Sequence, residues 1–184
     1  MIFTETKLAG AFLIELEKYD DVRGFFACNW SEREFAERGL VSHFVESNIS
    51  FNHKTGTLRG MHYQAAPHGQ VKLVRCTSGA IYDVIIDLRR DSPTFKHWTT
   101  VELTARNHLM LYVPLDFAHG FQTLEEDSEV TYQVSSSYHP ESSIGLRWDD
   151  PAFGIPWPEG ERVIIARDRE YPDFAGGEIS VRSL

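Results

Sequence analysis

The sequence predicts an all-β fold, an antiparallel sandwich or barrel with one or a few short helices. Five short segments are rich in β-branched and aromatic residues, and they follow one another at intervals of roughly ten residues. Turn residues separate them and no helical pattern lies between them, which excludes a doubly wound α/β fold. The predicted strands are 71–76, 80–88, 98–103, 109–113 and 129–134.

The N-terminal part is expected to form a strand, a loop and a second strand, followed by the one well-marked helix. Residues 10–30 alternate weakly around a polar turn. Residues 31–34 form a capping box, and Trp30 and Phe35 have the spacing of a hydrophobic staple. Gly39 is expected to end this helix after about two turns by taking a left-handed conformation.

The C-terminal part is rich in proline, which cannot donate to the inner ladder of a sheet. It is therefore expected to wrap the sheets as loops with one short edge piece. We interpret residues 1–184 as a single domain, with a β core at about 44–135 and a wrapping tail at about 139–184.

The composition is that of a globular protein with an acidic balance. Hydrophobic residues make up 42% of the 184 residues, and the formal net charge is -9. Nucleic acid and membrane surfaces require a basic face, so neither is an expected partner. No apolar run approaches the ~20 residues of a membrane span and the N-terminus lacks a signal-peptide core, which predicts a cytoplasmic protein. Cys28 and Cys76 are expected to be free thiols in buried or half-buried strand positions.

One segment, residues 56–76, concentrates positive and proton-accepting groups within this acidic chain. It places Arg59, His62 and Lys72 on two short predicted strands joined by a Pro/Gly turn. Such a cluster is suited to hold an anionic ligand and to move a proton next to a ketone. Simple alternation puts Arg59 and His62 on opposite faces of their strand, and a bulge at Gly60 would reconcile them.

Three side chains are ambiguous when each is read alone. The period of two turns Tyr132 inward with two valines, where a tyrosine usually just finds a hydrogen-bond partner. Lys72 shares a face with two small apolar residues, although a lysine in such a position normally faces solvent. His119 is expected on a turn, within residues 114–121, that leads from one strand into the next.

The placement of His62 and His119 behind a glycine and a proline is similar to the two short motifs of the cupin jelly roll. A divalent metal site would need two or three histidines and a carboxylate. Gln64 stands where the second histidine would be, no acidic residue lies between residues 60 and 81, and Lys72 would repel the ion. We therefore expect no metal, and a metal-dependent cupin enzyme remains an alternative.

Taken in order, a set of short motifs resembles the dTDP-4-dehydrorhamnose 3,5-epimerase family over about residues 10–175. The motifs are residues 21–26, 56–64, 72–76, 92–95, 117–121 and 148–151, together with Tyr132 and Asp168. The resemblance implies a cupin-type jelly roll without cofactor or metal, and a homodimer whose N-terminal strands add to the partner's sheet. It implies epimerisation of a nucleotide-linked 4-keto-6-deoxyhexose at the carbons that flank the ketone.

The resemblance also assigns roles by position. His62 is the expected base, Asp168 its orienting carboxylate, Tyr132 the acid on the opposite face of the sugar, and Lys72 the stabiliser of the enolate oxygen. The expected substrate-binding residues are Arg23, Phe26, Glu46, Asn48, Arg59, Gln64, His119 and Tyr138. The alternative from another class is a binding module that holds a sugar nucleotide without catalysis.

Three positions depart from the usual pattern of this family. Cys28 and Glu46 stand where the family usually has Glu and Gln, and Asp116 stands where it usually has Gly. The first two positions are expected near the nucleotide base, so the identity of the base stays open.

Overall fold

The computed structural model describes residues 1–174 and 176, in which thirteen short strands and two short helices follow one another. The strands are β1 Ile2–Glu5, β2 Phe12–Glu15, β3 Tyr19–Asp21, β4 Gly24–Phe26, β5 Glu46–Asn52, β6 Leu58–Gln64, β7 Lys72–Ser78, β8 Ala80–Asp87, β9 Trp98–Thr104, β10 Met110–Val113, β11 Phe117–Thr123, β12 Ser128–Val134 and β13 Ser143–Gly145. The helices are α1 Glu32–Ala36 and α2 Ala166–Arg169. All five strands predicted from periodicity are present, with ends that differ by at most two residues.

The strands form two antiparallel sheets and a separate hairpin. The six-stranded sheet has the order β1-β2-β10-β7-β12-β5, the five-stranded sheet has the order β13-β6-β11-β8-β9, and β3 and β4 form the hairpin. Neighbours in sequence often lie in different sheets, as β6 and β7 do, so the chain crosses repeatedly between the layers. This arrangement confirms the predicted all-β sandwich of jelly-roll type.

The main core lies between the two sheets and takes residues from both. Its buried members include Val74, Leu111 and Val130 from the six-stranded sheet and Ile85 and Phe121 from the five-stranded sheet. Burying such side chains contributes roughly 1.5–3 kcal/mol each in transfer free energy. These contacts hold the two sheets together on either side of the site described below.

The outer face of the six-stranded sheet is covered by α1 and the N-terminal residues. Ser31 caps the helix by accepting a hydrogen bond from the Glu34 backbone N–H, and Phe35 is fully buried beside Trp30. Gly39 has φ of +68°, as expected for a left-handed helix end. The helix itself is shorter than predicted, because the regular turns end at Ala36.

The outer face of the five-stranded sheet is covered by the chain that follows β12. Leu146, Phe153 and Trp157 pack there on Met61 and Val84. This segment adds β13 to the sheet edge beside β6 and then forms α2, a helix that the sequence pattern did not predict. The division into one domain with a core and a wrapping tail stays a prediction, and residues 175 and 177–184 of that tail lie outside the described residues.

Two predictions are wrong at the level of single residues. His119 does not lie on a turn, because Phe117–Thr123 is a strand paired on both sides, with β6 and with β8. Cys28 is exposed rather than buried, because it lies in the connection between β4 and α1, whereas Cys76 is buried as expected. Within residues 1–174, no helix has the length and hydropathy of a membrane span.

Candidate active site

A cavity of about 580 Å³ opens between the two sheets and collects most of the residues expected at the site. The strands β5, β6, β7, β11 and β12 supply its walls, and α2 closes one side. Ten of the twelve predicted site residues line it: Glu46, Asn48, Arg59, His62, Gln64, Lys72, His119, Tyr132, Tyr138 and Asp168. The other two, Arg23 and Phe26, lie elsewhere.

One polar pair in the cavity joins β6 to α2. His62 Nε2 lies 2.8 Å from Asp168 Oδ1, and the other carboxylate oxygen accepts the Gly60 N–H at 3.2 Å. Asp168 is 1% exposed. Burial opposes its ionised form, but the hydrogen bond and charge of His62, the Gly60 N–H and Arg167 hold its pKa below the ordinary value. Because a carboxylate can only accept, His62 donates its Nε2–H, which leaves Nδ1 with a free lone pair.

Burial also sets the protonation of the imidazole. It lowers the pKa of His62 below 6.5 more than Asp168 raises it, and the charges of Lys72 and Arg167 act in the same direction as burial. His62 is therefore neutral at pH 7 and able to accept a proton. The ring of Tyr171 packs edge-on against it at 6.2 Å between centroids.

A bulge in β6 brings Arg59 and His62 to the same cavity, as the alternation in the sequence demands. His119 pairs with His62 and Phe121 pairs with Arg59, so three steps along β6 match two along β11. Gly60 has φ of +129°, and a Cβ there would lie 2.5 Å from the Gly120 Cα. The bulge therefore depends on glycine in both strands.

Lys72 is buried, at 9% exposure, rather than solvent-facing. Its ammonium donates to the His62 carbonyl oxygen at 3.2 Å. Burial lowers the pKa of Lys72 to about 8, and the negative charge of Asp83 opposes that change. The group is mostly protonated at neutral pH, yet it lies in an environment where its charge acts strongly on a bound ligand.

Tyr132 projects from β12 into the cavity, as the period of two predicted. It pairs with Asn48 of β5 and Val74 of β7, and its ring packs against the main core. Burial raises the pKa of its phenol, with Arg59 opposing and Glu46 assisting. The hydroxyl therefore keeps its proton across the neutral range.

Known proteins resemble this chain over nearly its whole length. A sequence model of the family described as dTDP-4-dehydrorhamnose 3,5-epimerase matches residues 5–176. The chain belongs to this family. The dTDP-4-dehydrorhamnose 3,5-epimerase of Methanothermobacter thermautotrophicus is 42% identical over 173 residues, which cover 92% of this chain and 92% of that protein.

Solved structures of the family have the same fold. The crystal structure of dTDP-4-dehydrorhamnose 3,5-epimerase from Elizabethkingia anophelis superposes with a TM-score of 0.92 at 38% identity, covering 95% of this chain and 96% of that one. The dTDP-6-deoxy-D-glucose-3,5-epimerase of Legionella pneumophila, solved in complex with dTDP-4-keto-L-rhamnose, has a TM-score of 0.84 at 36% identity and covers 91% and 89%.

The cavity of this family member also contains a cation that the sequence patterns did not single out. Arg167 of α2 lines the cavity and interacts with Asp168 at 3.3 Å. The predicted cation Arg59 is held by Asn52, whose side-chain oxygen accepts from its Nε at 2.7 Å. The position of Arg167 next to Asp168 in the sequence was the available signal, since α2 carries both into the site.

Arg23 and Phe26 lie on the β3–β4 hairpin, outside the cavity of their own chain. The Arg23 side chain is 86% exposed and pairs with Asp21, and Phe26 is 74% exposed. Of the positions that depart from the family pattern, Glu46 lines the cavity and Cys28 does not. Asp116 has φ of +58°, a left-handed conformation that explains why glycine is usual there and which Asp tolerates better than most residues.

A group of side chains with metal-ligating atoms lies beside the cavity rather than in its lining. Among the described residues, the ligand atoms of His68, His139 and Glu141 lie within 4.8 Å of one another. The two imidazole rings are stacked, 3.6 Å apart with 5° between their planes, and the Nδ1 of His139 lies 3.0 Å from Glu141 Oε1. The cavity itself is lined by three positively charged side chains, those of Arg59, Lys72 and Arg167. The expectation of no metal and no cofactor stays a prediction.

Proposed function

We propose that the protein epimerises a dTDP-linked 4-keto-6-deoxyhexose at C3, C5 or both, in deoxysugar biosynthesis of the dTDP-L-rhamnose type. The observation that carries the proposal is one cavity with a carboxylate-oriented imidazole, a buried ammonium and a protonated phenol. Membership in the family supports the reaction class. The dTDP-4-keto-L-rhamnose in the complex of the Legionella pneumophila enzyme supports the class of substrate.

His62 acts as the base in this proposal. Its neutral Nδ1 takes the proton from the carbon next to the ketone, while Asp168 fixes the tautomer and stabilises the imidazolium that forms. The electron pair of the broken C–H bond moves to the ketone oxygen. Lys72 stabilises the resulting oxyanion. A positive charge in a cavity that excludes water stabilises an oxyanion far better than the same charge does in water.

Inversion then requires a proton from the opposite face. Tyr132 stands on β12, in the six-stranded sheet, whereas His62 stands on β6, in the five-stranded sheet. A sugar between the sheets is therefore flanked by the base on one side and the phenol on the other. Tyr132 donates its proton to the enolate carbon, and protons exchanged with solvent restore both groups.

The remaining lining groups are assigned to binding. Arg59 and Arg167 supply positive charge for a diphosphate, which suits guanidinium groups because each offers several fixed donors. Asn48 and Glu46 lie on the cavity side of β5 and are assigned to the nucleotide, with Gln64, His119 and Tyr138 near the sugar or base.

The exposed hairpin supports an assembly of two chains. Tyr19, Val22 and Phe26 on this hairpin are largely exposed, and so are Ile49 and Phe51 on β5, which is an edge strand. We propose a homodimer in which the N-terminal strands add to the partner's sheet and bring Arg23 and Phe26 toward the partner's cavity. Light scattering at micromolar concentration is expected to give a dimer, and a monomer would contradict the proposal. A cytoplasmic location stays a prediction from the sequence.

Solvent exchange tests the function directly. The protein is incubated with dTDP-4-keto-6-deoxyglucose in D2O, and deuterium at C3 and C5 is followed by NMR. We expect incorporation together with inverted product, and the labelled positions identify the carbons. A protein that binds the nucleotide sugar but incorporates no deuterium would be a binding module. Loss of exchange on chelation, with stoichiometric metal in the purified protein, would indicate a metal-dependent enzyme.

A further inference from the structure

A second carboxylate–imidazole pair lies behind the cavity. Asp83, near the middle of β8, is fully buried, and its Oδ2 lies 2.9 Å from His119 Nε2. Its other oxygen, Oδ1, is buried and has no hydrogen-bond partner among the described residues. Asp83 does not line the cavity, whereas His119 does. A buried carboxyl oxygen without a partner is costly, so the position of this group calls for a physical reason.

The pairing fixes the orientation of the His119 ring, as Asp168 fixes that of His62. An ionised carboxylate can only accept, so the His119 Nε2 carries the hydrogen of this bond. An ionised Asp83 also places a negative charge at this point between the sheets. His119 and His62 are opposite each other on β11 and β6, so the two pairs are neighbours in the same sheet.

Lys72 is the positive group that needs such a charge. It projects from the face of β7 that carries Val74 and Cys76, and Asp83 lies between Ile81 and Ile85 on the face of β8 that joins the same core. The one hydrogen bond of its ammonium among the described residues goes to the neutral carbonyl of His62. The carboxylate of Asp168 is already occupied by His62, Gly60 and Arg167. An isolated buried ammonium tends to lose its proton, since removing a charge from water is unfavourable without a compensating charge.

We propose that Asp83 is a positioning residue for the reaction: it is the counter-charge that keeps Lys72 protonated, and it holds His119 in the tautomer that faces the substrate. This inference rests on the proposed role of Lys72 as the stabiliser of the enolate. Asp83 acts through these two neighbours and does not touch the substrate.

Among the described residues, three titratable groups face Asp83. His119 faces it from β11, Lys72 and the Cys76 thiol face it from β7, and its β9 neighbour Val101 carries no charge. Burial raises the pKa of Asp83, and His119 and Lys72 oppose that rise. Burial also raises the pKa of Cys76 to about 11, so this thiol stays neutral at the relevant pH.

The pH dependence of Asp83→Asn tests the proposal, because this change removes the charge and keeps the shape. Lys72 has a pKa of about 8 with Asp83 ionised, so without that charge it loses its proton at lower pH. We expect the alkaline limb of kcat/KM to move down by about one pH unit or more, and activity at pH 8 to fall more than activity at pH 6. An alkaline limb at the wild-type position would overturn the proposal.

Asp87→Asn is the matched control on the same strand. Its carboxylate is also buried, but it holds Arg89, Ser92 and Thr94 outside the cavity. This variant is expected to lose stability while the alkaline limb of kcat/KM stays in place. The same shift in both variants would assign the effect to general loosening of the sheet and would overturn the proposal.

NMR of the wild-type protein gives a reading that needs neither a folded variant nor a substrate. The carboxyl carbon of Asp83 is expected to report an ionised group at pH 7, and the Lys72 Nζ is expected to titrate near pH 8. A protonated Asp83 at pH 7 would contradict the proposal even if the enzyme epimerises as proposed. An ionised Asp83 in a protein that fails the solvent-exchange test would leave the charge pairing intact and refute the catalytic assignment instead.

Discussion

Replacing Tyr132 with phenylalanine separates the two halves of the proposed proton transfer. The substitution removes one hydroxyl and keeps the ring that packs against the core, so the free energy of unfolding should change by less than about 1 kcal/mol. Because burial raises the pKa of this phenol, the group lost is a fully protonated acid at pH 7. Loss of a general acid lowers the rate roughly 10² to 10⁴-fold, which corresponds to about 3 to 5 kcal/mol of transition-state stabilisation.

The assay measures deuterium incorporation and inverted product in the same D2O reaction. His62 and Lys72 are unchanged in Tyr132→Phe, so the variant should still form the enolate and exchange the substrate proton while inverted product falls by the factor given above. Tyr82→Phe is the matched control, because its hydroxyl donates to the Pro156 carbonyl and the residue does not line the cavity. Epimerisation by Tyr132→Phe at the wild-type rate would remove this tyrosine from the mechanism and make Tyr138 or His119 the next candidate for the acid.

Three further substitutions test the base, the ammonium and the bulge. Asp168→Asn keeps an acceptor oxygen but removes the negative charge that stabilises the imidazolium and fixes the tautomer of His62, so exchange and epimerisation should fall together by on the order of 10² or more, measured as kcat at pH 7. Lys72→Met should slow both events by a similar factor. In the wild-type protein, activity should decline as the pH rises through about 8, because Lys72 then loses its charge. Gly60→Ala places a Cβ 2.5 Å from Gly120 and should lower the melting temperature and activity well beyond Gly160→Ala, where φ is similar at +121° but no atom lies within 4 Å. Equal losses in the two alanine variants would show that backbone conformation alone matters at the bulge.

The strands that were predicted from periodicity are those in which the sequence pattern of apolar residues is strong. The capping pattern around Ser31 likewise reflects interactions between residues that are close in sequence, and α1 begins where this pattern predicts. The β11 strand was missed because its seven residues are all buried, so no alternation marks it, and Gly120 weakens its local preference. Pairing with β6 and β8 overrides that preference.

The chemistry of the site also divides into a part that the local sequence predicts and a part that the fold decides. The order of residues alone specifies which groups are available: Arg59, His62 and Lys72 in one segment, an inward Tyr132, and the need for a bulge at Gly60. A bulge was predictable because the period of a strand is fixed by its backbone geometry.

Which of these groups meet, and in what charge state, depends on how the chain folds. His62 and Asp168 are 106 residues apart in the chain, and α2, which carries the carboxylate, has no local pattern that predicts its place against β6. The burial of Lys72 and the position of Asp83 behind His119 depend on two sheets closing over them. Periodicity describes the face on which a side chain lies, whereas pKa depends on how much water and which charges surround it, and both are set by elements distant in sequence.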